Sequence, residues 1–400
     1  MLIGLIAPPW LPVPPVRYGG IELVIDGLAR GLMAAGHEVL LAVPAGSTCP
    51  VPQIPGLPPP DAARMGCTVV EIPYLFSAYE AMREVEVIHD HTVAGPLCVP
   101  PRRETPVVTT NHGPFNADLN PIYAEMSCRG VSTIAISHHQ ASTAQNVKIA
   151  AVIHHGIDVD DIPVGNGDGG YACTLGRMTP SKGIREAILV AREAQVPLRI
   201  AAKMREPLER QYFDECVRPL LGGDIEYLGE LNAAEKYQLL GGAFALLNPI
   251  RWPEPFGLVM IEALACGTPV FATTCGSAPE IITDGETGFV RSELSSLAEM
   301  LNRAQDLDRK RCRNRAVSCF GTSRMIAEHL QLYARLLEAG PQALRQAPGA
   351  TRGDRFLDSA GSKGSVIVPD RVPPRTVLRR PTLHASSRPA TVPAQPGSVH

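Results

Sequence analysis

Leu2-Ile3-Gly4-Leu5-Ile6-Ala7 leads, after a proline-rich gap, into Gly19-Gly20-Ile21-Glu22-Leu23-Val24-Ile25-Asp26-Gly27-Leu28-Ala29-Arg30-Gly31-Leu32. Then, past Gly36, comes Val39-Leu40-Leu41-Ala42-Val43. The first and last runs are short, apolar and strand-like. The middle run places Ile21, Val24, Ile25, Leu28 and Leu32 on one helical face, and Gly36 suits its end. Strand, helix, strand is one βαβ unit. Continuous apolar strands belong to a parallel sheet covered by helices.

The alternation runs on in both directions from this unit. Strand-like runs recur at 69–72, 87–89, 107–110, 134–136 and 151–153, and a second series at 171–175, 198–202, 225–228, 243–247 and 270–272. Between the two series lies the polar, Gly-rich stretch 156–170. Its Gly165-x-Gly167-x-Gly169-Gly170 spacing precedes a strand instead of following one, the wrong order for a dinucleotide loop, so it reads as an interdomain linker. A strong amphipathic helix is expected at 324–339. The chain therefore divides into a Rossmann-like domain at 1–155, the linker at 156–170 and a second Rossmann-like domain at 171–322. A helix at 323–340 is expected to pack back on the first domain, and 341–400 to be a disordered, basic, Pro-rich tail. Two facing α/β sheets put the site in the cleft at the carboxyl ends of their strands.

Composition narrows the function. A net charge of −3 over 400 residues excludes nucleic acid as the main partner. The charge is uneven, because 341–400 holds eight Arg and one Lys against three Asp. A local +6 there could draw the protein weakly to an anionic membrane surface, although dispersed charges favour a plain solvated tail. Ten scattered cysteines include no Cys-x-x-Cys pair, which argues against structural zinc and a disulfide framework. No run reaches the roughly 20 apolar residues of a membrane span, and the apolar start lacks a basic lead, so a cytoplasmic location is expected.

Chemistry concentrates in Pro253-Glu254-Pro255-Phe256-Gly257-Leu258-Val259-Met260-Ile261-Glu262-Ala263-Leu264-Ala265-Cys266-Gly267-Thr268-Pro269. Glu254 lies in a proline-flanked turn, and Glu262 in a short apolar helix that stops at Gly267. Glu262 sits at the edge of the face formed by Leu258, Ile261 and Ala265, where a buried carboxylate needs a partner. Spacing alone leaves a partly exposed helix carboxylate equally open. Gly176-Arg177-Met178-Thr179-Pro180-Ser181-Lys182-Gly183 follows the first strand of the second domain. Two cations and a helix amino end there suit a diphosphate, and a solvated basic loop is the bland alternative. Gly19-Gly20 occupies the equivalent loop of the first domain. His112 follows the run 107–110, and His89-Asp90-His91 follows another. With no third ligand nearby, no metal is expected at that pair. His138-His139 and His154-His155 read as loop or helix-start residues.

These motifs, in this order, resemble the family-4 glycosyltransferases, a retaining, nucleotide-sugar-dependent group of the GT-B fold. Tyr18-Gly19-Gly20-Ile21-Glu22, the Arg177 to Gly183 segment, the Glu254 to Glu262 stretch, Gly267-Thr268-Pro269-Val270 and Glu280-Ile281-Ile282 followed by Gly285-Glu286-Thr287-Gly288-Phe289 carry the likeness over about 1–340. Trp252-Pro253-Glu254-Pro255-Phe256 and Ala201-Ala202-Lys203 look closest to a bacterial subgroup labelled UDP-glucose:tetrahydrobiopterin glucosyltransferase. The resemblance implies an acceptor-binding first domain and a donor-binding second one. Arg177 and Lys182 would meet the donor diphosphate, Glu262 the ribose and Glu254 the transferred sugar. Backbone at Phe256, Gly257 and Leu258 would hold sugar hydroxyls, and His112 would lie near the reacting carbon. Gly19 and Gly20 would close on the phosphates, while Tyr227, Leu228 and Gly229 border the base. It implies transfer of a hexose, glucose from UDP-glucose first, to a small-molecule, glycan or lipid acceptor by front-face displacement without metal or cofactor. A UDP-sugar 2-epimerase on the same fold and a silent nucleotide-sugar-binding protein are the rival readings.

Overall fold

A computed structural model describes residues 1–98 and 104–343, the last three by backbone alone. The first βαβ unit forms as read: β1 (Leu2–Ile6), α1 (Gly20–Ala34) and β2 (Glu38–Ala42). β1 and β2 pair in parallel from Leu2↔Glu38 to Ile6↔Ala42. Val24, Ile25, Leu28 and Leu32 are buried, and Gly36 takes the left-handed φ of 86° that lets the chain leave the helix. The first half continues with α2 (Thr68–Ala81), β3 (Val87–Asp90), β4 (Val107–Thr110), α3 (Leu119–Cys128), β5 (Ser132–Ala135), α4 (His138–Ser142) and β6 (Ile149–Val152). The second half opens with β7 (Ala172–Arg177), α5 (Ile184–Glu193), β8 (Leu198–Lys203), α6 (Pro207–Tyr212) and β9 (Ile225–Gly229). It goes on through α7 (Ala233–Gly242), β10 (Ala245–Asn248), α8 (Leu258–Ala265), β11 (Val270–Thr273), α9 (Ala278–Ile281) and β12 (Gly288–Arg291). It closes with α10 (Leu294–Leu301), α11 (Arg309–Phe320) and α12 (Thr322–Ala343).

Each half builds a six-stranded parallel sheet, in the orders β2-β1-β3-β4-β5-β6 and β12-β11-β10-β7-β8-β9. Such sheets bind ligands where the strand order reverses. In the first sheet the reversal falls between β1 and β3, and in the second between β7 and β10. The loops at those points carry Gly19-Gly20, His89 to His91, Arg177 to Lys182 and the approach to Glu254. Topology alone thus gathers the candidate residues at the two crevices.

Residues 69–72, expected as a strand, are the start of α2. The β-branched run misleads because burial decides here. Glu71, Tyr74, Leu75, Ala78 and Tyr79 are covered at helical spacing, and the Tyr74 hydroxyl donates to the Ala7 carbonyl at 2.9 Å. Pro73 removes one helix hydrogen bond without breaking the helix. The edge strand β12 was not anticipated; between Gly288 and Arg291 only Phe289 and Val290 are apolar, too little for a run to show.

The stretch 156–170 joins the sheets and lies packed on the second one. Ile157, Val159 and Ile162 enter its apolar core. Gly165, Gly167 and Gly169 donate their N–H groups to Cys266, Gly241 and Gly242 carbonyls at 3.0, 2.9 and 2.9 Å. A Cβ on Gly165 would overlap Gly241, which explains the glycine spacing by close backbone approach. Arg309 staples the same region, donating to the carbonyls of Gly165, Gly241 and Ala243 and to the Thr268 hydroxyl. α12 returns to the first sheet, where Met325, Ile326, Leu332 and Tyr333 share a core with Ile3, Leu5 and Val24. It breaks at Gly340 with φ 62°. The stretch read as a basic tail lies, beyond residue 343, outside the described residues. Among the described residues no helix is long and apolar enough to cross a membrane.

Candidate active site

Three helices open on the crevice from a glycine. Gly19 precedes α1, Gly183 precedes α5 and Gly257 precedes α8, and none of the three starts has a side-chain cap. Serine, threonine, aspartate or asparagine there would have satisfied the first N–H groups internally. Glycine supplies no such cap. The Arg185 N–H of α5 goes to the Tyr212 hydroxyl at 3.3 Å and the Met260 N–H of α8 to the Gly257 carbonyl at 3.0 Å. The other early N–H groups are left for a ligand, together with the positive end of each helix dipole. The glycines are also sterically required. Gly183 sits at φ 68°, where a Cβ would overlap the Pro249 carbonyl oxygen. Gly257 sits at φ 90°, with Met260 Cε 2.7 Å from where a Cβ would stand. Gly20 lies against Leu258, the first residue of α8, with 3.0 Å from a would-be Cβ to its Cδ1. The two halves of the molecule touch here.

Both glutamates are buried, and each has found a lysine. Glu254 is ion-paired with Lys182, which stands in the tight turn just before α5. The same carboxylate oxygen accepts from the Trp252 indole N–H at 2.8 Å, and Lys182 Nζ lies 5.5 Å from the centre of that ring. Glu262, on α8, accepts from Lys236 of α7 at 2.5 Å. Arg177 ends β7, and Tyr18 from the first half faces its guanidinium. Ser277 holds the neighbouring backbone, its hydroxyl on the Phe256 carbonyl and its N–H on Glu254 O at 3.1 Å.

Across the crevice, His112 is half-buried after β4. Gln140 grips the loop on both sides of it, donating to the carbonyls of Asn111 and Gly113 at 2.8 and 2.5 Å. His112 Nε2 is 2.9 Å from His91 Nδ1, and its ring stacks on His155 at 5.2 Å, which in turn meets Phe256 edge-on at 5.2 Å. Desolvation pushes His112 down to about 3, so the ring is neutral at neutral pH. Burial likewise pushes His89, His91 and His155 well down. Glu22, buried beside Gly19, is pushed up to about 7 by the same cause.

Tyr227, Leu228 and Gly229 stand at the outer strand β9. A register shift leaves Leu228 between Tyr227, which pairs with Ile200, and Gly229, which pairs with Ala201. The Tyr227 hydroxyl is taken up by the Ala202 carbonyl at 2.9 Å, leaving its ring against Phe213. His89 and His91 do point the same way, with rings 4.1 Å apart and tilted by 34°. Among the described residues no group of three or more His, Cys, Asp or Glu side chains could hold a metal ion. His138, His139 and His154 join the halves, since their two backbone N–H groups and the His154 imidazole all meet the Glu280 carboxylate at 2.7–2.8 Å. Sequence reasoning passed over Lys236 and Gln140 altogether, and noted His91 only as half of a rejected metal pair and His155 only as a loop or helix-start residue. Local spacing does not reveal their site partners, which are 21 to 101 positions away. Trp252 and Glu280 lay inside quoted motifs with no role assigned.

Two successive Rossmann-like parallel sheets meeting at such a crevice define the GT-B class. The model described as glycosyl transferases group 1 matches residues 161–316, and that of glycosyltransferase family 4 matches 18–161. The chain belongs to the family-4, group 1 glycosyltransferases and is a nucleotide-sugar-dependent enzyme of the hexosyltransferase class. A phosphatidyl-myo-inositol mannosyltransferase of Mycolicibacterium smegmatis is 27% identical over 328 residues, covering 72% of this chain and 80% of that protein. One from Propionibacterium freudenreichii is 24% identical, with the same coverage. Among solved structures, sucrose-phosphate synthase from Thermosynechococcus elongatus superposes with a TM-score of 0.70 at 20% identity, over 84% of this chain and 99% of that one. Anabaena HepE in complex with UDP-glucose gives 0.64 at 19%, over 84% and 100%. Those two likenesses speak to the fold alone.

Proposed function

We propose that this enzyme is a retaining transferase that moves a hexose from a nucleotide sugar to a hydroxyl of a small-molecule, glycan or lipid acceptor. UDP-glucose is the first donor to expect and GDP-mannose the second. The mannosyltransferase names of the sequence relatives favour mannose, and the resemblance through Trp252 to Phe256 favours glucose. The observation that carries the reading is the meeting of three uncapped helix amino ends with Arg177 and Lys182, an arrangement suited to a diphosphate.

As the anomeric C–O bond breaks, its electron pair stays on the leaving diphosphate. The acceptor oxygen bonds to the same face of the sugar, and its proton passes to the departing phosphate oxygen. Arg177, Lys182 and the N–H groups at the starts of α5 and α8 offset the growing negative charge, the role a metal fills elsewhere. Glu262 takes the ribose, while Glu254 and the backbone of Phe256, Gly257 and Leu258 take sugar hydroxyls. His112 stands near the reacting carbon, Gly19 and Gly20 approach the phosphates, and Tyr227 to Gly229 border the base. Each charge-assisted contact is worth about 1.5–3 kcal/mol, and about 1.4 kcal/mol is tenfold in rate.

Lys182→Ala and Glu262→Ala should each cut turnover by about tenfold or more with the circular dichroism spectrum unchanged. Wild-type rates in both would end this site assignment. Thermal-shift screening of nucleotide sugars ranks the donors, and turnover insensitive to EDTA is expected of the winner. Epimer formed from UDP-N-acetylglucosamine without UDP release, seen by NMR, would replace transfer with epimerisation.

A further inference from the structure

We propose that His91 is a positioning residue that fixes the tautomer of His112, so that His112 offers an Nδ1–H to the transferred sugar. This rests on the placement of His112 beside that sugar in the reading above. The two rings meet through His91 Nδ1 and His112 Nε2, 2.9 Å apart. Both are neutral, so a single proton lies between the two nitrogens and only two arrangements exist. If His112 supplied it, His91 would carry its own proton on Nε2. That nitrogen is buried and has no partner among the described residues. A buried N–H without an acceptor is the rarer and costlier orphan; a bare lone pair is better tolerated. His91 therefore donates, and His112 keeps its proton on Nδ1.

The rest of the surroundings hold this state in place. His89 packs against His91, rings 4.1 Å apart, and is itself locked, its two nitrogens 2.7 Å from the Tyr333 hydroxyl and from Thr110 Oγ1. Gln140 fixes the loop on both sides of His112, and His155 covers one face of the ring. Among the described residues His112 Nδ1 makes no hydrogen bond, so its N–H is the one left for a ligand oxygen. In the other tautomer Nδ1 could only accept. A residue of the last helix, Tyr333, thus reaches the reacting centre through two imidazoles.

The test uses the full chain with UDP-glucose as probe. A 15N-resolved NMR spectrum of the wild-type histidine rings should show His112 protonated at Nδ1; protonation at Nε2 overturns the proposal. His91→Asn keeps an N–H where Nδ1 stood, and His91→Leu removes it. His91→Leu should lower kcat for UDP release by about tenfold or more with KM little changed, and His91→Asn should recover most of it. Equal losses in both folded variants would make His91 merely structural and overturn the idea. If His91→Leu does not fold, the tautomer and His91→Asn still decide. A wild-type rate in His112→Ala would instead sink the placement of His112, while the NMR tautomer would continue to judge His91.

Discussion

Glu254 and Glu262 are 8% and 4% exposed, and at that depth a carboxylate without a counter-charge is expensive. The sequence said that Glu262 needs a partner if buried; it could not say that Lys236, on the preceding helix, supplies it. Lys236→Met should leave that carboxylate uncompensated. Because the lysine is partly exposed, the expected loss is a modest 1–3 kcal/mol or so, together with a higher KM for the donor. Urea titration and donor kinetics measure the two effects, and no change in either would show that Lys236 is a bystander. Trp252 is a similar case, an indole whose N–H helps aim Glu254 at the crevice.

At the scale of elements, the glycines before α1, α5 and α8 decide which helices can meet an anion. Gly36 and Gly257 make a controlled comparison, with φ of 86° and 90°. Nothing lies within 4 Å of a Cβ on Gly36, whereas one on Gly257 meets Met260. Each change to alanine carries the left-handed penalty of about 1–2 kcal/mol. Gly36→Ala should therefore lower stability and leave turnover intact. Gly257→Ala should do both kinds of damage, with activity down about tenfold or more. Equal activity in the two variants would detach α8 from the chemistry. The strands were mostly legible because apolar runs bounded by turns repeat along the chain. α2 was not, since its β-branched start outweighed the buried tyrosines that make it helical.

Across the whole molecule, four buried histidines (His89, His91, His155 and His329) and the half-buried His112 run from α12 towards Phe256. Burial pushes them down, His112 to about 3 and His329 to about 4, from an ordinary value of 6.5. Below about pH 6.5 the unfolded chain takes up protons that the fold refuses, so stability falls as pH drops from there towards 4. Asp90 and Glu22, pushed up to about 7 by burial, act in the opposite sense over the same window, as does Glu71, also raised. Five groups outweigh three, and the thermal midpoint should be lower at pH 5 than at pH 7.5. A flat or rising midpoint would refute this. Glu280 is the other molecule-wide contact. Burial opposes its charge, but hydrogen bonds from His154 and the amides of His139 and His138 outweigh it and hold the carboxyl below its usual range. Glu280→Ala should loosen the two halves, read as a larger radius of gyration by X-ray scattering and a raised donor KM; unchanged values would leave the contact without mechanical weight.

The sequence by itself determined the two parallel sheets, the order of the motifs and the charge types of the site. Apolar periodicity, glycines and charged residues in loops are local quantities, and they suffice for that. Tertiary structure alone decided which lysine serves which glutamate, that 156–170 is packed instead of slack, and that histidines at and just beyond the ends of β3, β4 and β6 pack ring against ring in one column. Those outcomes depend on contacts between residues far apart in the chain. In such contacts burial and hydrogen-bond satisfaction, which carry no local signature, choose the partner.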